Sequence, residues 1–312
     1  MPEYVKKYQP GATVPLYFSA VLDRKPESYG SFHGNTQLAD AKESKGTGAG
    51  MYFTFSNEQQ EAVTAKIGLS YTSVENARIN LQAEAEGKTF EDAKEQAHQI
   101  WQEYLGRIEV ETSKREDKVK FYTGLYHALL GRGLANDVNG AYPRNDGSVG
   151  QLPMKEGKPQ YNVYNTDAAW GAQWNLSQLW TLAYPEYMSE YVSSHIQAYK
   201  DAGWLADGLA NNRYVSGVGT NLLSTIIAGA YQCGIRDFDT KLAYEACLKN
   251  ELDGKDRPFG AGKVNTAEFV KYGYVPHQDQ GEGYHETFMF SASHTLESVS
   301  YTHLTLPTKL EV

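Results

Sequence analysis

Seven carboxylates stand among glycine, asparagine and tyrosine, and these are where the chain could do chemistry: Asp137 (NDVNG), Asp146 (RNDGS), Asp167 (YNTDAAW), Asp207 (WLADGLANN), Asp279 (HQDQ), Glu282 and Glu286. A pair of carboxyl groups can cleave a glycosidic bond, one as acid on the leaving oxygen and one as base or nucleophile. Taken singly, each reads first as a solvated loop carboxylate or a helix cap. Asp207 is the candidate catalytic acid. Trp204 and Leu205 precede it, and apolar neighbours let a carboxyl keep the proton it must donate. Gly208 beside it allows close backbone approach. Asp167 follows Thr166 at a predicted helix start and reads better as an acid favoured by the helix dipole.

Other chemistries find no support in the residues. The sequence has no phosphate-binding loop, no dinucleotide glycine fingerprint after a strand, no HExxH and no GxSxG. His277, His285 and His294 lack a ligand-like spacing on one helix face. Cys233 and Cys247 make neither a disulfide framework nor a metal cluster and are expected to be buried free thiols.

Aromatic residues make up 12% of the chain, and 23 of its 312 residues are Tyr. A tyrosine joins a flat apolar face to a polar tip, which suits a sugar as well as it suits the wet edge of a large core. Trp170, Trp174 and Trp180 fall on one predicted helix, where residues four apart share a face. Trp180 is expected in the core, and Trp170 or Trp174 could face a sugar. The charge sum, 29 Lys+Arg against 38 Asp+Glu, is −9. That excess argues against nucleic acid, whose phosphates are bound by cations. The longest apolar stretch, 222–231, is interrupted by Ser224 and Thr225 and suits a core helix rather than a membrane span.

The elements that must position these residues change type along the chain. Residues 13–22, 50–56 and 61–72 alternate apolar and polar as half-buried strands do. Thr72 with Glu75, and Thr89 with Asp92, have capping-box spacing ahead of helices. A third helix is predicted at 117–130, and residues 131–160 read as loop. Further helices are expected at 165–182, 185–202, 219–233 and 240–250, with Pro185 in the first turn of its helix. The long loops 131–160 and 203–219 carry the vocabulary of a polyol-binding cleft, and loops of that length in a compact domain are usually functional.

Several segments occur in a familiar order: IGLSYTSVENARINL (67–81), FYTGLYHALL (121–130), NDVNGAYPRNDG (136–147), WGAQWNLSQLWTLAYPE (170–186), GWLADGLANNRYVSGVGTN (203–221), GIRDFD (234–239), KYGYVP (271–276) and ASHTLE (292–297). Together they resemble glycoside hydrolase family 92, the calcium-dependent exo-acting α-mannosidases that invert anomeric configuration. The resemblance implies the C-terminal part of a β-sandwich over 1–72, a helical linker over 73–112 and an incomplete (α/α)6 toroid over 113–297. It implies a glycan substrate, Ca2+, export to the periplasm or the extracellular space, and no protein partner. A chain truncated at both ends is expected. Residues 299–308 (VSYTHLTLPT) resemble translated sequencing adapter, so 298–312 is set aside as non-native.

This chain also departs from the family's pattern. Trp170-Gly171-Ala172-Gln173-Trp174 stands where members carry Trp-Asp-Thr-x-Arg, so a substrate-binding acid and arginine are missing. Asn211-Asn212-Arg213-Tyr214 stands where they carry Gly-Asn-Glu-Thr. Arg213 thus falls where the resemblance puts the catalytic acid, and a guanidinium stays charged and cannot donate that proton. The acidic pair supplying the base should follow Glu297. A divergent subgroup is implied, with Asp207 as substitute acid and Trp170, Trp174, Asn212, Tyr214 and Asp137 as candidate substrate-binding residues. Glu282 and Glu297 are conceivable calcium ligands. The alternative is a carbohydrate-binding relative that lost its acid.

Overall fold

The computed structural model describes residues 14–56, 62–131, 133–166, 169–215 and 221–276, with only the backbone of Trp170. The expected strands fall at β1 (Tyr17–Leu22), β4 (Ala49–Thr54) and β5 (Ala65–Ser70). Two more, β2 (Ser28–His33) and β3 (Thr36–Ala39), join β4 in a sheet of order β3-β2-β4. Their sequence is too polar to show alternation, and the turn is the only local sign. His33 pairs with Thr36 across Gly34-Asn35, and Gly34 has φ 56°, the left-handed start that two-residue hairpins prefer.

β1 and β5 pair antiparallel, with Phe18 opposite Leu69 and Ala20 opposite Ile67. The other side of the ribbon carries α1 (Val74–Ala85). Gly68 lets the helix sit close: a Cβ there would lie 2.2 Å from the Ala77 carbonyl oxygen and 2.7 Å from the Leu81 Cβ. Phe18, Ile67 and Leu69 remain exposed on the opposite face. The helix cap is Ser73, whose hydroxyl accepts the Asn76 N–H, and not Thr72. Thr72 instead turns its hydroxyl to Asp137.

The second box is present as read. Thr89 caps α2 (Phe90–Gly106), and its exchange with Asp92 closes both ways. Next come α3 (Arg115–Leu129), the short strands β6 (Ala141–Pro143), β7 (Val149–Gln151), β8 (Met154–Lys155) and β9 (Lys158–Pro159), then α4 (Ala169–Gln173), α5 (Leu176–Ala183) and α6 (Pro185–Ala202). The single helix expected over 165–182 is broken at Trp174-Asn175. The 203–219 loop holds a small hairpin, β10 (Leu209–Ala210) with β11 (Arg213–Tyr214). It is followed by α7 (Leu223–Gln232), α8 (Thr240–Leu252) and α9 (Thr266–Tyr272).

The main core lies between α5, α6, α7 and α8. Trp180, Tyr184, Met188, Tyr191, Val192, Leu223, Ile226 and Ile227 are buried in it, and a buried aliphatic side chain contributes about 1.5–3 kcal/mol. Trp180 is a core residue as expected, its Nε1 donating to the Ala128 carbonyl at 3.3 Å. Cys247 is buried. Cys233 is exposed, contrary to expectation, because α7 ends just before it.

One face of α6 is polar and holds the loops. Glu190, Ser194, Gln197 and Asp201 recur at helical spacing. Tyr164 donates its hydroxyl to Glu190 and its N–H to the Ser194 hydroxyl, Tyr161 donates to Gln197 Oε1 at 2.7 Å, and Tyr142 donates to Asp201 at 2.8 Å. Burial raises all three phenols above their ordinary value, Tyr142 to about 12. The architecture is the C-terminal part of a β-sandwich followed by an incomplete (α/α)6 toroid.

Candidate functional site

The tryptophan-bearing segment and the stretch around Asp207 meet through their backbones. Ala169 N–H donates to the Asp207 carbonyl at 2.7 Å, and Thr166 N–H donates to the Leu209 carbonyl at 2.7 Å. Leu209 N–H returns a bond to Thr166 Oγ1, and Asn211 N–H reaches Asn165 Oδ1. A third strand of chain lies behind. Ala206 bridges Ala261, Asp207 N–H donates to the Gly260 carbonyl, and Gly262 N–H donates to the Leu205 carbonyl.

The hairpin turn is Asn211-Asn212, with φ of 56° and 51°. Both central residues are left-handed, as a primed two-residue turn requires, and asparagine tolerates that region better than most residues. Asn211 is 3% exposed and Asn212 is 0% exposed, yet neither side-chain amide has a hydrogen-bond partner among the described residues. Two enclosed amides without partners are costly, at about 1–3 kcal/mol per unsatisfied group. Sugar hydroxyls are groups of the kind that could satisfy them.

Asp207 is 1% exposed, and its Oδ1 accepts the Asn221 N–H at 3.2 Å. Arg257 is near enough for the charge of Asp207 to support its own, against the burial that lowers the guanidinium. The sequence reading found Asp207 but not this surrounding. Asn221, Asn250, Glu251, Arg257 and Lys263 come from 14 to 56 residues downstream and carry no local motif. Two cavities, of about 240 Å³ between α2, α3 and α6 and about 340 Å³ between α5 and α7, are lined by neither Asp207 nor Asn212.

The remaining candidates fall in different places. Tyr214 is buried against Trp204, Leu209 and Ala261, and its hydroxyl donates to the Trp204 carbonyl at 2.9 Å, which is a packing role. Trp174 is 59% exposed and lies past the end of α4, so the four-residue spacing with Trp170 does not put them on one helix face. The side chain of Trp170 lies outside the described residues, as do Asp167, Asp279, Glu282, Glu286, Glu297, the three histidines and residues 298–312. Asp137 is buried. Its carboxylate accepts from the hydroxyls of Ser70 and Thr72 and from Asn80 Nδ2 at 2.7 Å. The ring of donors around it joins β5 and α1 to the loop before β6. Among the described residues no three His, Cys, Asp or Glu side chains gather as a metal site, and no helix is long and apolar enough to cross a membrane.

Strands, then paired helices with their loops gathered on one helix, define the class of proteins in which a β-sandwich precedes a helical toroid. Comparison with known proteins makes this specific. Residues 3–70 match the glycosyl hydrolase family 92 N-terminal domain, and residues 76–304 match the glycosyl hydrolase family 92 catalytic domain. The chain belongs to glycosyl hydrolase family 92. A solved inverting mannosidase of that family from Bacteroides thetaiotaomicron superposes with a TM-score of 0.76 at 23% identity, over 93% of this chain and 41% of that one. A second family 92 α-mannosidase of the same organism, in complex with mannoimidazole, gives 0.74 at 19% identity, over 93% and 38%. A protein of Arthroderma benhamiae described as an uncharacterized secreted glycosidase is 26% identical over 242 residues, 74% of this chain and 26% of that protein. The chain thus spans about a quarter of the curated relative and about two fifths of the solved mannosidases.

Proposed function

We propose that the full protein is an exported, exo-acting α-mannosidase that inverts the anomeric centre. The observation that supports this reading, beside family membership, is the pairing of Asn165, Thr166 and Ala169 with the stretch 207–211, whose Asn211-Asn212 turn carries two buried amides with no partner among the described residues. In this reading Asp207 is the acid. It passes its proton to the glycosidic oxygen as the C–O bond breaks, while a base takes a proton from the water that attacks the opposite face of the sugar. The role requires its carboxylate to become accessible when a mannoside binds. Asn212 supplies hydrogen bonds to sugar hydroxyls, and Trp170 and Trp174 supply apolar faces for the ring.

Calcium rests on family kinship. Among the described residues no three carboxylate, imidazole or thiol side chains gather to hold an ion, and no step here is routed through calcium. Export is supported by the relative described as secreted.

The test is hydrolysis of an aryl α-mannoside and of mannobiose by the full-length protein, with and without chelator, following the product anomer by NMR. Release of β-mannose that chelator suppresses is expected, and no turnover of any α-mannoside removes the reading. This chain alone should be inactive, because it spans about two fifths of the length of the solved mannosidases.

A second reading, a non-hydrolytic sugar-binding relative, is favoured by the enclosure of Asp207 and by Arg213 at the place of the family acid. There Asp207→Asn should leave glycan affinity unchanged by calorimetry, with no activity to lose.

A further inference from the structure

The cavity of about 240 Å³ between α2, α3 and α6 shares no lining residue with the candidate site. Its walls are Ile100, Trp101 and Tyr104 of α2, Leu129 at the end of α3, Tyr184 just before α6 and Tyr187 in its first turn. Four of these six side chains are aromatic, and every one of the four rings is braced by a further group. Trp101 lies against Tyr126 of α3, with centroids 4.6 Å apart. Tyr187 meets Trp180 and Tyr164 edge-on, at 5.0 Å and 5.2 Å. Tyr104 and Tyr184 run nearly parallel, with 8° between their planes, and the Arg107 guanidinium lies 4.7 Å and 5.3 Å from their centroids. Rings fixed in this way cannot fold inward to fill the space, although an empty cavity forfeits dispersion contacts. The walls are ordered in advance, which spares a ligand the cost of ordering them.

The chemistry of the lining selects the ligand. The Trp101 indole N–H and the Tyr187 hydroxyl make no hydrogen bond among the described residues, and a purely aliphatic ligand would cover these tips without satisfying them. A cation is a common guest of aromatic walls, but here it would meet the charge of Arg107, which is already stacked on two of the rings. A pyranose meets both conditions, with C–H faces for the rings and hydroxyls for the polar tips. Arg107 also pairs with Glu103 and Glu186, whose side chains are 69% and 52% exposed. Each carboxylate has lone pairs left to accept from a sugar hydroxyl.

We propose that this cavity is a second sugar-binding site, which holds one pyranose of a mannan chain while a chain end is hydrolysed elsewhere on the protein. The inference rests on the protein being an α-mannosidase, but not on which residue is its acid. A second grip raises the effective concentration of chain ends and so lowers KM on a polymer without altering the chemical step. A small aryl mannoside cannot use both sites and gains nothing from the second.

The experiment takes the full-length protein beside Trp101→Ala, where alanine suits the helix, and Tyr187→Phe, which keeps the ring and removes the hydroxyl. Retardation in gels containing soluble α-mannan measures binding, and kcat and KM are followed on mannan and on an aryl α-mannoside. Trp101→Ala should weaken retardation and raise KM on mannan about tenfold, with kcat on mannan and both constants on the aryl substrate within about twofold of the parent. Tyr187→Phe should show the same selectivity at about threefold. If both variants bind and hydrolyse mannan as the parent does, the second site is overturned and the mannosidase stands. Where Trp101→Ala slows both substrates equally and lowers thermal stability, Tyr187→Phe decides, and unchanged retardation there overturns the site. If the parent cleaves no α-mannoside, the mannosidase reading falls; loss of retardation in Trp101→Ala still supports the site, and its persistence overturns that too.

Discussion

His195 lies on α6 at 0% exposure, with neither ring nitrogen hydrogen-bonded to any described residue and its ring centroid 4.9 Å from that of Tyr191. Burial pushes its pKa down from 6.5 to about 3, because an imidazolium there would be a charge without water or a counter-ion. The folded protein therefore binds this proton less readily than the unfolded chain. Between pH 6.5 and about 3 the unfolded chain holds the extra proton, so the stability present above pH 6.5 drains away as pH falls through that window. From 6.5 to pH 5 is roughly 1.5 units at about 1.4 kcal/mol each, a loss of about 2 kcal/mol. His195→Phe keeps an aromatic ring beside Tyr191 and removes the titration. Urea unfolding followed by tryptophan fluorescence at pH 7 and pH 5 measures the difference for both proteins, and other titrating groups cancel between them. The variant should lose about 2 kcal/mol less than the parent on acidification. Equal losses in the two proteins would show that the ring is not buried as described.

Asp137→Ala should destabilise by about 3 kcal/mol in thermal unfolding, because it leaves the Ser70, Thr72 and Asn80 donors without their acceptor. Binding of mannose should be unaffected in calorimetry, against the sequence expectation for this residue. Gly68→Ala should cost about 1–3 kcal/mol by denaturant unfolding, since the added methyl meets α1 backbone that cannot swing away. Asn212→Gly in the full-length protein should weaken mannose binding while raising or preserving thermal stability, because glycine accepts the left-handed turn and the change removes a buried amide without a partner among the described residues.

The parts of this structure legible in the sequence are those governed by local rules. The Thr89–Asp92 capping box, Pro185 opening α6 and the alternation of β1, β4 and β5 are each decided within a few residues. The break at Trp174-Asn175 was not legible, because the apolar spacing runs through it. Gly34-Asn35 and Asn211-Asn212 carry turn chemistry, but β2 and β3 are too polar to alternate, and β10 and β11, at two residues each, offer no periodicity. At the site, Asp207 was reachable from its apolar neighbours. Its contact with Asn221 and the chain from Asn250 to Lys263 are products of tertiary folding alone. Asp137 sits in a loop of asparagine and glycine whose local sequence gives no sign of the junction its carboxylate makes with Ser70, Thr72 and Asn80.

The tyrosine hydroxyls donating to α6 make the loop layer sensitive to alkali. Each phenol must keep its proton to hold on, and burial raises all three, so the attachment is intact below pH 10 and is lost as pH climbs through the raised values, about 12 for Tyr142. Strong base should therefore lift these loops from the helix by ionising the fastenings themselves, before the apolar interior beneath them is disturbed.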